Sequence, residues 1–130
     1  MLEAQGEAAE GITTTLHYAD GLQNVKNLEF REAYRAAYNE EADVYAVQGY
    51  DAGLLLIKAL EETSGDLSQK TQAIKAMEDA EIDSPRGLWR MSKYHNPIQN
   101  FYTLRVENGI NTVIGTAWES LEDPGVGCSL

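Results

Sequence analysis

Tyr45, Gln48, Tyr50 and Asp51 crowd the front of the stretch VYAVQGYDAGLLLIKALEE, Val44 to Glu62, whose back half is an apolar helix pattern. Polar groups at such a place are costly to bury alone, so each must find a partner inside the protein or in something bound. The chemistry they offer is recognition. Tyr45 combines apolar area with a hydroxyl, and Gln48, one helical turn on, can donate or accept a hydrogen bond.

Bond-making chemistry has no comparable signal. The chain has no G-x-G-x-x-G, no Gly-rich loop ending in Lys-Ser or Lys-Thr, no H-E-x-x-H and no paired cysteines. His17 and His95 stand apart from each other and from other ligand-type residues, and both read as structural or loop histidines. Cys128 is the single cysteine, so it has no partner for an internal disulfide or a thiolate metal site. No acid, base and nucleophile share a recognisable spacing, and the expectation is a protein that is not an enzyme and carries no cofactor.

The 130 residues are 43% hydrophobic, enough for one domain with one core. Their net charge of -11 repels phosphate backbones and argues against nucleic-acid binding. No apolar run is long enough to cross a bilayer. The opening MLEAQGEAAEG is acidic where a secretory signal is basic and then apolar, so no export signal is expected in it.

The elements that position the Val44 stretch can be read from local chemistry. Leu2 to Glu10 favours a short helix stopped at Gly11, and Ile12-Thr13-Thr14-Thr15 a strand ending near His17 and Tyr18. Asn24 is a candidate N-cap for a helix to about Tyr38, with Phe30, Tyr34 and Tyr38 forming an aromatic face expected in the core. Asp43 is the N-cap expected for the Val44 helix, and Leu54-Leu55-Leu56-Ile57 predicts burial on more than one side. A further helix is expected from Leu67 to about Asp79 with Leu67, Ile74 and Met77 inward. Ser84-Pro85-Arg86-Gly87 suits a turn before a strand from Leu88 to Met91. Phe101 to Val106 alternates, Asn108-Gly109 is a hairpin turn, and Ile110 to Gly115 returns. The ending EDPGVGCSL reads as a frayed tail.

Taken in order, EAAEGITTTLHYA, NVKNLEFREAYRAAY, DVYAVQGYDAGLLLIKALE, SPRGLWRMS and HNPIQNFYTLRVENG resemble the C-terminal portion of the periplasmic solute-binding proteins of branched-chain amino-acid-type ABC transporters. The block around Tyr50-Asp51-Ala52 is the most specific of these. Val25 departs from the pattern, standing where many relatives have proline. The resemblance implies an α/β fold, a partial type I periplasmic-binding-protein fold with helices packed on a small sheet plus a C-terminal β-hairpin. In that design two lobes joined by crossover strands close on a solute. Residues 1–17 would then be a second-lobe element, 18–100 the first-lobe helices and strand, and 101–130 a hairpin and tail returning to the second lobe, the whole a single incomplete unit. Leu16 to Ala19 and Phe101 to Arg105 would be hinge crossovers.

The resemblance places Tyr45 where relatives hold an aromatic residue against the solute, with Gln48 beside it and Tyr18 at a crossover, so these three are the ligand-binding candidates. Reading the residues alone leaves alternatives: Tyr45 packed in the core, Gln48 bonded to backbone, and Asp51 serving the helix dipole or a nearby loop. Tyr50 and Asp51 are expected to be mainly structural. The function implied is solute binding for an ABC importer of amino acids or similar small carboxylates, aromatic acids included, with a membrane permease as partner and a periplasmic location. The alternative is an interaction module that binds no solute and forms a homo-oligomer or a complex with a complementing chain.

Overall fold

The computed structural model of the chain describes residues 5–127. Three helices lie with a five-stranded antiparallel sheet, in the order β1 (Thr13–Leu16), α1 (Val25–Tyr38), α2 (Val44–Glu62), α3 (Lys70–Glu78), β2 (Glu81–Ser84), β3 (Gly87–Met91), β4 (Pro97–Glu107) and β5 (Ile110–Leu121). The expected α/β class with helices on a small sheet and a C-terminal hairpin is what the chain adopts.

Both helix caps read from the sequence are formed. The Asn24 side chain accepts the Asn27 amide at 2.7 Å and that of Asp43 accepts the Ala46 amide at 2.9 Å, each satisfying a donor the first helical turn leaves free. Asn39, left-handed at φ 55°, ends α1 with its amide on the Arg35 carbonyl. The hairpin turn is likewise local: Asn108 at φ 55° and Gly109 at φ 75° join the paired Glu107 and Ile110.

The long strand β4 organises the sheet. Its later residues pair with β1, Leu16 opposite Tyr102 and Thr13 opposite Arg105, and its start pairs with β3 through Pro97 and Ile98. Strand β5 pairs with it from Gln99 to Glu107 with register shifts and continues to Leu121, beyond the Gly115 expected from alternation. Hydrophobic residues collect in two clusters. Tyr18, Ala19, Leu22, Val47, Tyr102 and Leu104 form the first, under the start of α2. Ala80, Ile82 and Trp89 form the second, against Leu54 and Leu55.

Several expectations fail for reasons that can be named. Within Leu2–Glu10, residues 1–4 lie outside the described residues, Gln5 is helical, and Gly6–Ala9 is a 3-10 turn opened by Gly6, left-handed at φ 53°. Helix α3 starts at Lys70 instead of Leu67, since the Asp66 carboxylate accepts the Ser68 amide at 3.0 Å and holds a turn there. Leu67 and Ile74 are exposed and Ala73 is the buried residue of α3. Strand β2 has no counterpart in the sequence reading and exists through its pairing with β3, Ile82 opposite Trp89. The aromatic stripe of α1 reaches the core only at one end: Phe30 packs against the first cluster, Tyr34 packs between Phe30 and Tyr38, and Tyr38 is 65% exposed. Nor is α2 enclosed: Leu56 is 48% and Ile57 49% exposed. The expected tail is irregular from Glu122 to Gly127, and Cys128 lies outside the described residues.

Candidate functional site

The turn Ser84–Gly87 between β2 and β3 gathers contacts from α2, β4 and the N-cap of α1. Its Arg86 side chain is buried, and Nε donates to the Asp51 carboxylate on α2 at 2.6 Å. A second guanidinium nitrogen donates to Gln99 on β4, and the guanidinium lies 4.6 Å from the Trp89 ring centroid. The Arg86 carbonyl accepts the Tyr102 hydroxyl at 2.7 Å, and the neighbouring Pro85 carbonyl accepts the Asn24 side chain at 3.0 Å. Gly87 makes this possible, with φ 104° and a hydrogen where a Cβ would come within 3.1 Å of the Tyr102 hydroxyl. A buried guanidinium and carboxylate are tolerated because each supplies the other's counter-charge.

His17 belongs to the same cluster. Burial, and then the Arg86 cation, push its pKa below the ordinary 6.5, with Asp51 opposing in part. Its Nε2 and the Asp51 Oδ1 are both buried without a hydrogen-bond partner among the described residues. The His17 ring meets Phe101 edge-on at 6.3 Å. The crossover residues expected at Leu16–Ala19 and Phe101–Arg105 thus lie side by side, joined by strand pairing and by this ring contact.

On this support the candidate ligand residues take different places. Tyr45, in the first turn of α2, is 70% exposed, and Gln48 is exposed one turn later. Neither side chain makes a hydrogen bond among the described residues. Tyr18 is buried in the first core cluster, and its hydroxyl donates to the Asn27 Oδ1 at 3.0 Å. Burial, with Asp20 adding, pushes its pKa up to about 12. Asn27 in turn donates to the carbonyls of Asp20 and Leu22 at 3.1 and 2.8 Å, which fixes the loop between β1 and α1. Asp51 is structural as expected, and what it holds is Arg86 in the turn between β2 and β3. Tyr50 packs on Phe30 at 5.0 Å between ring centroids.

An open groove of about 480 Å³ runs between α1 and α2, lined by Phe30, Ala33, Tyr34, Tyr38, Ala46, Gly49 and Tyr50. Among the described residues no cluster of His, Cys, Asp and Glu suits a metal, and no helix is long and apolar enough to cross a membrane.

The family model for periplasmic binding proteins matches residues 1–111. The chain belongs to that family. Its backbone superposes on an R. palustris ABC-transporter solute-binding protein in complex with benzoate, with a TM-score of 0.92 and 40% identity over 99% of this chain and 36% of that one. It also superposes on a Rhodopseudomonas palustris BisB5 solute-binding protein in complex with 3,4-dihydroxybenzoic acid, with a TM-score of 0.84 and 30% identity over 96% of this chain and 35% of the other. In sequence it is 33% identical to the Brucella abortus Leu/Ile/Val-binding protein homolog 6 over 96% of this chain and 34% of that protein. The fold is therefore part of the type I periplasmic-binding-protein fold, and the chain spans about a third of the length of these relatives. The family is one of solute-binding transport components.

Proposed function

We propose that the chain supplies one wall of the solute site of an ABC importer that takes up small carboxylates, with aromatic acids favoured over aliphatic amino acids. The observation that carries this is Tyr45, a phenol held outward at a helix start whose other side is anchored by the buried Asp51–Arg86 pair. An aromatic ring so placed gives a benzoate-like solute a stacking face and a hydroxyl, and Gln48 adds an amide beside it. The relatives solved with benzoate and 3,4-dihydroxybenzoic acid support the same solute class. The protein named for leucine, isoleucine and valine keeps aliphatic amino acids as the competing choice. Tyr18, with its hydroxyl committed to Asn27, serves as a support for the crossover behind the site.

In this reading no bond is made or broken. Two lobes close around the solute and deliver it to a membrane permease in the periplasm. Residues 1–17 and 101–130 belong to one lobe and 18–100 to the other, so the crossover strands carry the hinge. The test is calorimetric titration of benzoate and of leucine into the chain joined to the remaining two thirds of the benzoate-bound relative. Benzoate should bind more tightly, and Tyr45→Ala should weaken it about tenfold. Tighter leucine binding, or a Tyr45→Ala variant of unchanged affinity, would remove the aromatic-acid reading.

A second reading, an interaction module without a solute, is favoured by one observation: the outer side of α2 is apolar and exposed at Leu56 and Ile57.

A further inference from the structure

The segment that follows β5 is irregular, yet it is docked. Asp123-Pro124-Gly125 is turn chemistry: the Asp123 Oδ1 accepts the Gly125 amide at 2.8 Å, and Gly125 is left-handed at φ 66°. The Oδ2 of the same carboxylate accepts the Asn96 side-chain amide at 2.8 Å. Gly125 is half-buried against Tyr94, and a Cβ there would collide with three atoms of the Tyr94 ring. The glycine is therefore needed for the contact as well as for the turn.

The surface that receives this segment is built in advance. The loop of residues 92–96 between β3 and β4 is closed by the Ser92 amide donating to the Asn96 carbonyl at 2.8 Å, and the Ser92 hydroxyl oxygen accepts the Tyr94 amide at 3.1 Å. The His95 Nε2 meets the Glu78 carboxylate at 2.7 Å, which ties the same loop to α3. The Lys93 ammonium lies 4.8 Å from the Tyr94 ring centroid.

We propose that residues 122–125 are a strap that fastens the end of β5 to the β3–β4 loop and resists separation of the two lobes. This rests on the solute-binding reading, in which β5 belongs to one lobe and Tyr94 to the other. Strand β4 joins the two by its backbone, and the strap adds a second link beside it through Asp123, Asn96, Gly125 and Tyr94. Its polar bonds are few and exposed, so it is weak enough to part when the lobes open. The strap is fastened in a backbone that matches the benzoate-bound relative with a TM-score of 0.92, which assigns it to the solute-bound arrangement. Releasing it favours opening, and the solute leaves faster although no group that touches it has changed.

Two measurements test the strap. In the chain alone, the ring current of Tyr94 should shift the Gly125 α-protons upfield in the NMR spectrum, and Tyr94→Leu should abolish the shift. Gly125 α-protons at the position of an unstructured glycine would overturn the proposal. In the chain joined to the remaining two thirds of the benzoate-bound relative, stopped-flow should find benzoate dissociation about threefold to fivefold faster in Gly125→Leu and in Asp123→Ala, with association unchanged. Val126→Ser, next to the strap and 90% exposed, should leave both rates as they are. Unaltered dissociation in Gly125→Leu and Asp123→Ala, with Tyr45→Ala still weakening benzoate, would overturn the strap and leave the solute reading standing. A joined protein that binds no benzoate would remove both.

Discussion

The two sides of α2 are finished to different degrees. On the inner side Asp51 meets the Arg86 guanidinium, which also holds Gln99 and lies over Trp89, while Val47 is sealed among Tyr18, Tyr102 and Leu104. On the outer side Gly49 and Gly53 face open space and Leu56 and Ile57 are about half exposed. The helix thus buries a carboxylate among apolar residues on one side and leaves apolar residues open on the other.

The contrast can be broken most severely from the inside. Arg86→Met leaves the Asp51 carboxylate buried without its counter-charge, and the expected loss is about 3–5 kcal/mol in urea unfolding. Replacing both partners, Asp51→Leu with Arg86→Met, should recover most of it, because the larger part of that loss is the cost of a stranded charge. A double variant as unstable as the single one would show instead that the contacts of Arg86 with Gln99 and Trp89 dominate.

Next in size is Asn27→Ala. It removes the acceptor for the Tyr18 hydroxyl and the donor to the Asp20 and Leu22 carbonyls, and should cost about 2–3 kcal/mol by the same measurement.

How far the inside was legible in the sequence depended on distance along the chain. Asn24, Asp43 and Asn108-Gly109 act on residues within a few positions of themselves, so their chemistry could be read in place. Asp51 and Arg86 are 35 residues apart, and each has an ordinary local reading, a helix carboxylate and a turn arginine. The clue available was an acid on the apolar side of an apolar helix, which demands a cation without naming it. Periodicity identified the apolar sides of α1 and α3 but could not say what covers them, which is why Tyr38, Leu67 and Ile74 were expected inside and are exposed. For Tyr45 and Gln48 only family resemblance suggests a ligand role, and the fold leaves both side chains exposed.

A smaller effect belongs to His17. Its folded pKa is depressed, so the unfolded chain binds the proton more readily. Stability is fully present above the ordinary value of 6.5 and declines as the pH falls from there through the lowered folded pKa. Melting temperatures across pH 8 to 5 should show this decline, and His17→Asn should flatten it. An unaltered slope would place the pH dependence elsewhere. Smallest of all is the outer ladder, where Tyr38→Ser should change urea stability by no more than about 0.5 kcal/mol.

The difference between the two sides is tested most directly by urea unfolding of Arg86→Met and Leu56→Glu in the isolated chain, followed in parallel. A large loss for the first and a change within about 0.5 kcal/mol for the second would confirm that α2 is packed on one side and open on the other. A loss for Leu56→Glu comparable to that for Arg86→Met would contradict it, because a side chain open to solvent cannot cost that much to charge.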